Sequence, residues 1–181
     1  MHRLVAFAVF PIAIGTLAQE RDVIRLDRSS ISFLSEAPLE AISAATDQAK
    51  GVIDRGERSF AVQVPVASFA GFNAPLQREH FNENYMASAD WPNAQFTGRI
   101  IEMVDLRAPG KHAVRAKGTL TIRGVPQERI IPCTVEVDAA GVTVTSRFEV
   151  VLEDHGVRIP RVVQQKVAAT VAVSVDLHFA P

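Results

Sequence analysis

Val114-Arg115-Ala116-Lys117-Gly118-Thr119-Leu120-Thr121-Ile122 is the stretch that decides the fold. Val114, Ala116, Gly118, Leu120 and Ile122 form one row; Arg115, Lys117, Thr119 and Thr121 form the other. Successive side chains of a strand point to opposite faces, so one row is buried and the other is wet. The same period returns downstream. Ile131, Cys133, Val135 and Val137 alternate with Ile130, Pro132, Thr134 and Glu136. Val142, Val144, Ser146, Phe148, Val150 and Leu152 alternate with Thr143, Thr145, Arg147, Glu149 and Val151. Val167, Ala169, Val171, Val173, Val175, Leu177 and Phe179 close the series. Long consecutive strands joined by short turns predict an antiparallel meander. With few helices to cover its dry face, such a sheet pairs with a second sheet or closes on itself, and a closed barrel has an inside.

The chain has 181 residues, enough for one domain with a sizeable core. Its 19 Lys and Arg balance 20 Asp and Glu. No long basic run is present, which gives nucleic-acid binding no support. The N-terminus reads as an export signal over residues 1–18. Met1-His2-Arg3 is a positive start, Leu4 to Leu17 is largely apolar, and Thr16-Leu17-Ala18 offers a cleavage site, placing the mature start near Gln19. The apolar run is too short to span a bilayer comfortably. Cys133 is the single cysteine. It stands on an apolar row, where it acts as a small buried hydrophobe rather than a reactive thiol.

Residues 19–181 read as one domain without repeats or linkers. Ser30 to Ser35 alternates as an early strand, and so does Ser59 to Ala67, where Phe60, Val62, Val64 and Val66 share a row. Pro65 lacks a donor and suggests an edge or a bulge. Turns are expected at residues 54–58, 107–111, 123–126 and 138–141. Residues 38–50 conflict. Their Ala-rich composition and the terminal Gly51 favour a helix, but Leu39 to Thr46 also alternates, with Glu40, Ile42 and Ala44 on one row. Asn73 to Met86 predicts a helix, with Asn73 as cap and Pro75 in the first turn. At 100° per residue, Leu76, Gln77, His80, Phe81, Asn84 and Tyr85 share its inward side.

Four segments resemble the YceI-like family of exported, lipocalin-like proteins, in the family's order. They are Phe60-Ala61-Val62-Gln63-Val64-Pro65-Val66-Ala67-Ser68-Phe69; Arg78 to Tyr85 followed by Trp91-Pro92-Asn93-Ala94-Gln95-Phe96; Lys117 to Val125; and Phe148 to Pro160 with the long last strand. The resemblance spans roughly residues 22 to 180. It implies an all-β, up-and-down antiparallel barrel of about eight strands, with one or two short helices near one opening. It implies an elongated apolar pocket for an isoprenoid or other lipid chain, and it turns residues 38–50 into a strand and turn. The early hairpin, Pro38-Leu39-Glu40-Ala41-Ile42, departs from the family pattern of Gly and Phe there.

The inward rows nominate Phe33, Phe60, Val62, Phe96, Leu120 and Phe148 as pocket wall, with Phe69, Phe72 and Phe81 near the helix. Gln77, His80 and Asn84 form a polar stripe on the same side. The stripe meets either backbone groups or the polar end of a ligand. An eight-stranded barrel is the size at which side chains fill the lumen or leave room for one small ligand. Two functions therefore stand side by side: a carrier of a long apolar molecule, and a packed barrel acting through protein partners. Catalysis has no constellation behind it. No His pair has metal-ligand spacing, and no nucleophile elbow or phosphate loop occurs, so neither metal nor cofactor is expected. The reading leaves room for transient membrane contact and for a homodimer.

Overall fold

The computed structural model describes residues 21–181, so the expected export signal lies outside the described residues. Nine strands follow one another: β1 Val23–Glu36, β2 Ala41–Thr46, β3 Lys50–Asp54, β4 Ser59–Pro65, β5 Asn93–Ile100, β6 Gly110–Ile122, β7 Val125–Asp138, β8 Gly141–Val151 and β9 Thr170–Ala180. All neighbours are antiparallel, and β1 also pairs with β9, which closes the sheet. β2 and β3 pair with the two ends of β1 in one register: Ile31 faces Thr46 and Arg25 faces Val52. They are halves of a single stave interrupted at Asp47–Ala49. The result is a closed, lipocalin-like barrel of eight staves, as the resemblance implied; of the two outcomes the alternation left open, closure is the one realised.

Residues 38–50 are therefore strand and turn. The local helical signal loses because β1 offers this segment a ladder on which Ile42 turns inward. Tertiary pairing outweighs the few tenths of a kcal/mol per residue that separate propensities. Pro65 ends β4 beyond the last residue of β4 that pairs with β3, Gln63, so its missing N–H breaks no ladder bond. The β6–β7 turn places Arg123 at φ 51° and Gly124 at φ 72°, the doubly left-handed pattern of a two-residue hairpin turn. A Cβ on Gly124 would also sit 2.5 Å from the Trp91 ring.

Pro132 sets the one weak seam. Its carbonyl accepts from Ser146 Oγ on β8 (2.7 Å), so its donor-less nitrogen points the same way. The β7–β8 ladder stops beside it, at Cys133–Ser146. Above that point, side chains bridge the gap: Arg129 Nη2 donates to the Glu149 carbonyl and Gln127 Nε2 to the Asp154 carbonyl, both at 2.6 Å.

The two barrel ends differ. At one end the loop between β5 and β6 folds inward and seats Leu106, which is 0 % exposed, among Ile24, Val137, Val142 and Phe179. Asp22 fastens this closed end. Its carboxylate accepts from Arg55 Nη2 (2.6 Å) and Arg107 Nε (2.7 Å), joining the start of β1 to two loops. At the other end three segments converge: the β1–β2 turn, the β4–β5 connection carrying helix α1 (Pro75–His80), and the β8–β9 connection.

Candidate functional site

The inward rows enclose a cavity of about 380 Å³ that runs from the plug to this second end, within the range of small-molecule sites. From Val171 to Phe179 every inward residue of β9 lines it; the eight steps between those two residues amount to about 26 Å of strand at ~3.3 Å each. The wall is aliphatic and aromatic almost throughout. Ser146, on the inward row of β8, spends its hydroxyl on the Pro132 carbonyl. Cys133 faces the cavity, and burial pushes its thiol pKa up. Phe60, Val62, Val64, Phe96, Val144 and Phe148 point inward yet are only half-buried. A filled lumen would bury them fully, so their remaining exposure is to the cavity itself.

Of the nominated residues, Phe33, Phe60, Val62, Phe69, Phe72, Gln77, His80, Phe81, Phe96, Leu120 and Phe148 line this cavity. Four aromatic rings gather beneath the cap: Phe33 lies 5.5 Å from Phe69, 6.0 Å from Phe72 and 5.4 Å from Phe81 between centroids. Deeper, Phe60 and Phe96 meet at 5.0 Å. Such offset and edge contacts hold the rings beyond simple area burial.

Asn84 is the exception: it is exposed and does not line the cavity. Helix α1 ends at His80 and continues as a π turn over Phe81–Tyr85. The wider turn breaks the 100° spacing: Tyr85 stays inward as expected and Met86 joins it, while Leu76, also expected inward, is exposed and does not line the cavity. Asn73 is not the cap either. The N-cap is Ala74, and Asn73 sends its amide to the Ala41 carbonyl (2.9 Å) while Gln77 Oε1 accepts the Asn73 backbone N–H (3.1 Å). Gln77 Nε2 donates to Glu40, which fastens the cap to the β1–β2 turn. Gln77 thus serves the fold on both its polar atoms. His80 sits exposed at the rim.

Sequence reasoning missed Glu40, Lys166, Val163 and Val167 at the mouth. The signal for Glu40 was present: it shares the row of Ile42 and Ala44, which turns inward. Val167 and Ala169 were expected to open the last strand, but β9 begins only at Thr170; the rest of the β8–β9 connection carries no period, so its contribution had no pattern to reveal it. It is seated by Leu39 N–H on the Gln165 carbonyl (2.8 Å) and Ala168 N–H on Ser35 Oγ (2.9 Å). His178 alternates with the inward Leu177 and Phe179, a pattern that points it to solvent. It does stand on the outer row, but its side chain is mostly covered, and Nδ1 bonds Asp27 at 2.6 Å. Asp27 is the extra residue of a bulge between Leu26 and Arg28, which aims its carboxylate there.

Among the described residues no group of His, Cys, Asp and Glu could hold a metal ion. No described helix is long and apolar enough to cross a membrane.

Comparison with known proteins gives the same architecture. A polyisoprenoid binding domain from Saccharophagus degradans, implicated in plant cell wall breakdown, superposes with a TM-score of 0.74 at 17 % identity, covering 87 % of this chain and 98 % of that one. BcnA of Burkholderia cenocepacia gives 0.68 at 19 % identity, covering 82 % and 94 %. The YceI protein of Campylobacter jejuni gives 0.56 at 12 % identity, covering 99 % and 94 %. At these identities the likeness is one of fold. A search of curated proteins finds no match to the chain. The family model of the YceI-like domain matches residues 23–179, nearly the whole described chain, and the protein belongs to that family.

Proposed function

We propose that this protein is an exported carrier that holds an elongated apolar molecule, an isoprenoid or other lipid chain, inside its barrel. One observation carries the reading: inward side chains from β4, β5 and β8 stay half-exposed to a long cavity with an apolar wall. Burying a hydrocarbon chain there gains about 0.8 kcal/mol per methylene. The neighbour from Saccharophagus degradans, itself a polyisoprenoid binding domain, supports the ligand class. The positive start, apolar run and small residues of positions 1–18 support export. Glu40, Gln77, His80 and Lys166 stand together at the mouth, which suits a ligand whose chain enters first and whose polar end stays at the rim.

Enlarging the wall tests the carrier against the packed-lumen alternative. Phe148→Trp should reduce uptake of an apolar fluorophore while leaving thermal stability nearly unchanged, because a cavity wall has spare room. In a filled core the same change overpacks and costs ~1–3 kcal/mol. A clear loss of stability in a protein that takes up no apolar probe would sink the carrier reading.

A further inference from the structure

We infer that the open end of the barrel docks on an anionic lipid bilayer. The inference rests on the carrier reading, to which it adds where the cargo is exchanged. Three aliphatic side chains stand out into solvent there, one from each segment that forms the mouth: Leu39 is 67 % exposed, Leu76 56 % and Val162 91 %. Single exposed aliphatics are ordinary, but these are neighbours. Leu39 N–H bonds the Gln165 carbonyl, three residues from Val162. The residue after Leu39, Glu40, accepts from Gln77, the residue after Leu76. An apolar rim thus continues outward from an apolar cavity.

Charge selects the occupant. Between Val157 and Ala169 the rim carries Arg158, Arg161 and Lys166 and no acid, and all three cations are exposed. Lys166 stands at the cavity mouth itself. Across the mouth, Glu40 of the β1–β2 turn and the exposed Glu79 and Glu83 of the cap carry negative charge, so the cationic strip that meets anionic headgroups is the β8–β9 connection alone. Aliphatic side chains interleaved with cations favour insertion at the boundary between anionic headgroups and acyl chains. Docked this way, an apolar molecule passes between bilayer and barrel without exposing its chain to water, which removes the main barrier to exchange.

Vesicle flotation of the full chain tests this. Wild-type protein should float with vesicles of equal parts phosphatidylcholine and phosphatidylglycerol, and much less with phosphatidylcholine alone. Added salt should release it. Each cation contributes roughly fivefold to such binding, so Arg158→Glu with Arg161→Glu, neither of which lines the cavity, should lower it at least about tenfold. Val162→Asp should do the same. Val162 is so exposed that this change spares the fold, which a melting curve checks. Uptake of an apolar fluorophore from solution should stay at the wild-type level in both variants. Equal flotation by the variants and wild type, or no flotation with either vesicle, overturns the inference; in the second case the rim is left as a surface for a protein partner. Flotation without any fluorophore uptake by wild type would instead remove the carrier reading and leave docking standing.

Discussion

The Phe33 and Phe81 rings stack 15° from parallel with centroids 5.4 Å apart. Phe33 belongs to the barrel wall and Phe81 to the cap, so this pair joins the two at the mouth. Phe81 also touches Phe69 and Phe72, at 5.8 and 5.2 Å. Phe81→Ala should therefore loosen the cap and speed release of a bound apolar probe, measured by stopped-flow displacement. Phe81 is only half-buried, so the change should cost less stability than Leu106→Ala at the closed end. There a fully buried leucine is removed, at ~2–5 kcal/mol. Equal losses of stability, with release unchanged, would mean that the two ends of the barrel are equivalent.

Acid should weaken the fold through three carboxylates. The Arg55 guanidinium, with Arg107 beside it, holds Asp22 below the usual carboxylate range against the opposing effect of burial. The Arg115 backbone N–H and side chain do the same for Glu102, and the hydrogen bond to His178 for Asp27. A carboxylate with a depressed folded pKa favours the native state above its unfolded value, about 4. That contribution disappears as the pH falls through the folded value. Denaturation midpoints should thus fall steadily below about pH 4, and Asp22→Asn should flatten that slope. An unchanged slope in the variant would show that the closed end does not depend on this carboxylate.

Cys133 gives a direct reading of occupancy. Its sulfur faces the cavity, and burial raises its pKa, so little reactive thiolate is present at neutral pH. A maleimide should label it far more slowly in native than in unfolded protein. Filling the lumen with an apolar fluorophore should slow labelling further. Labelling that ignores the fluorophore would place the bound probe elsewhere.

Much of this architecture was written in single residues. The period-2 rows of β6 to β9 assigned inward and outward sides correctly, because a closed barrel imposes one face on every strand. Arg123-Gly124 marked the hairpin, and Pro132 in hindsight marks the seam. Three features were not legible. Asn84 left the inward face because the π turn at Phe81–Tyr85 answers to packing of the cap, which has no sequence period. Residues 41–46 became a strand only because β1 supplies each of them with an antiparallel partner, as in Ile31–Thr46 and Phe33–Ala44. His178 is covered because a bulge at Asp27, set by barrel closure against β9, brings a carboxylate to it.

Native mass spectrometry of the protein purified from an exporting host, before and after organic extraction, tests the central claim most directly. The account predicts a chain whose mass corresponds to a start near Gln19, carrying a bound hydrophobic molecule that extraction removes and that the stripped barrel takes up again. A chain that carries no such molecule, and that binds no isoprenoid or other lipid chain when these are offered to it, would contradict the account.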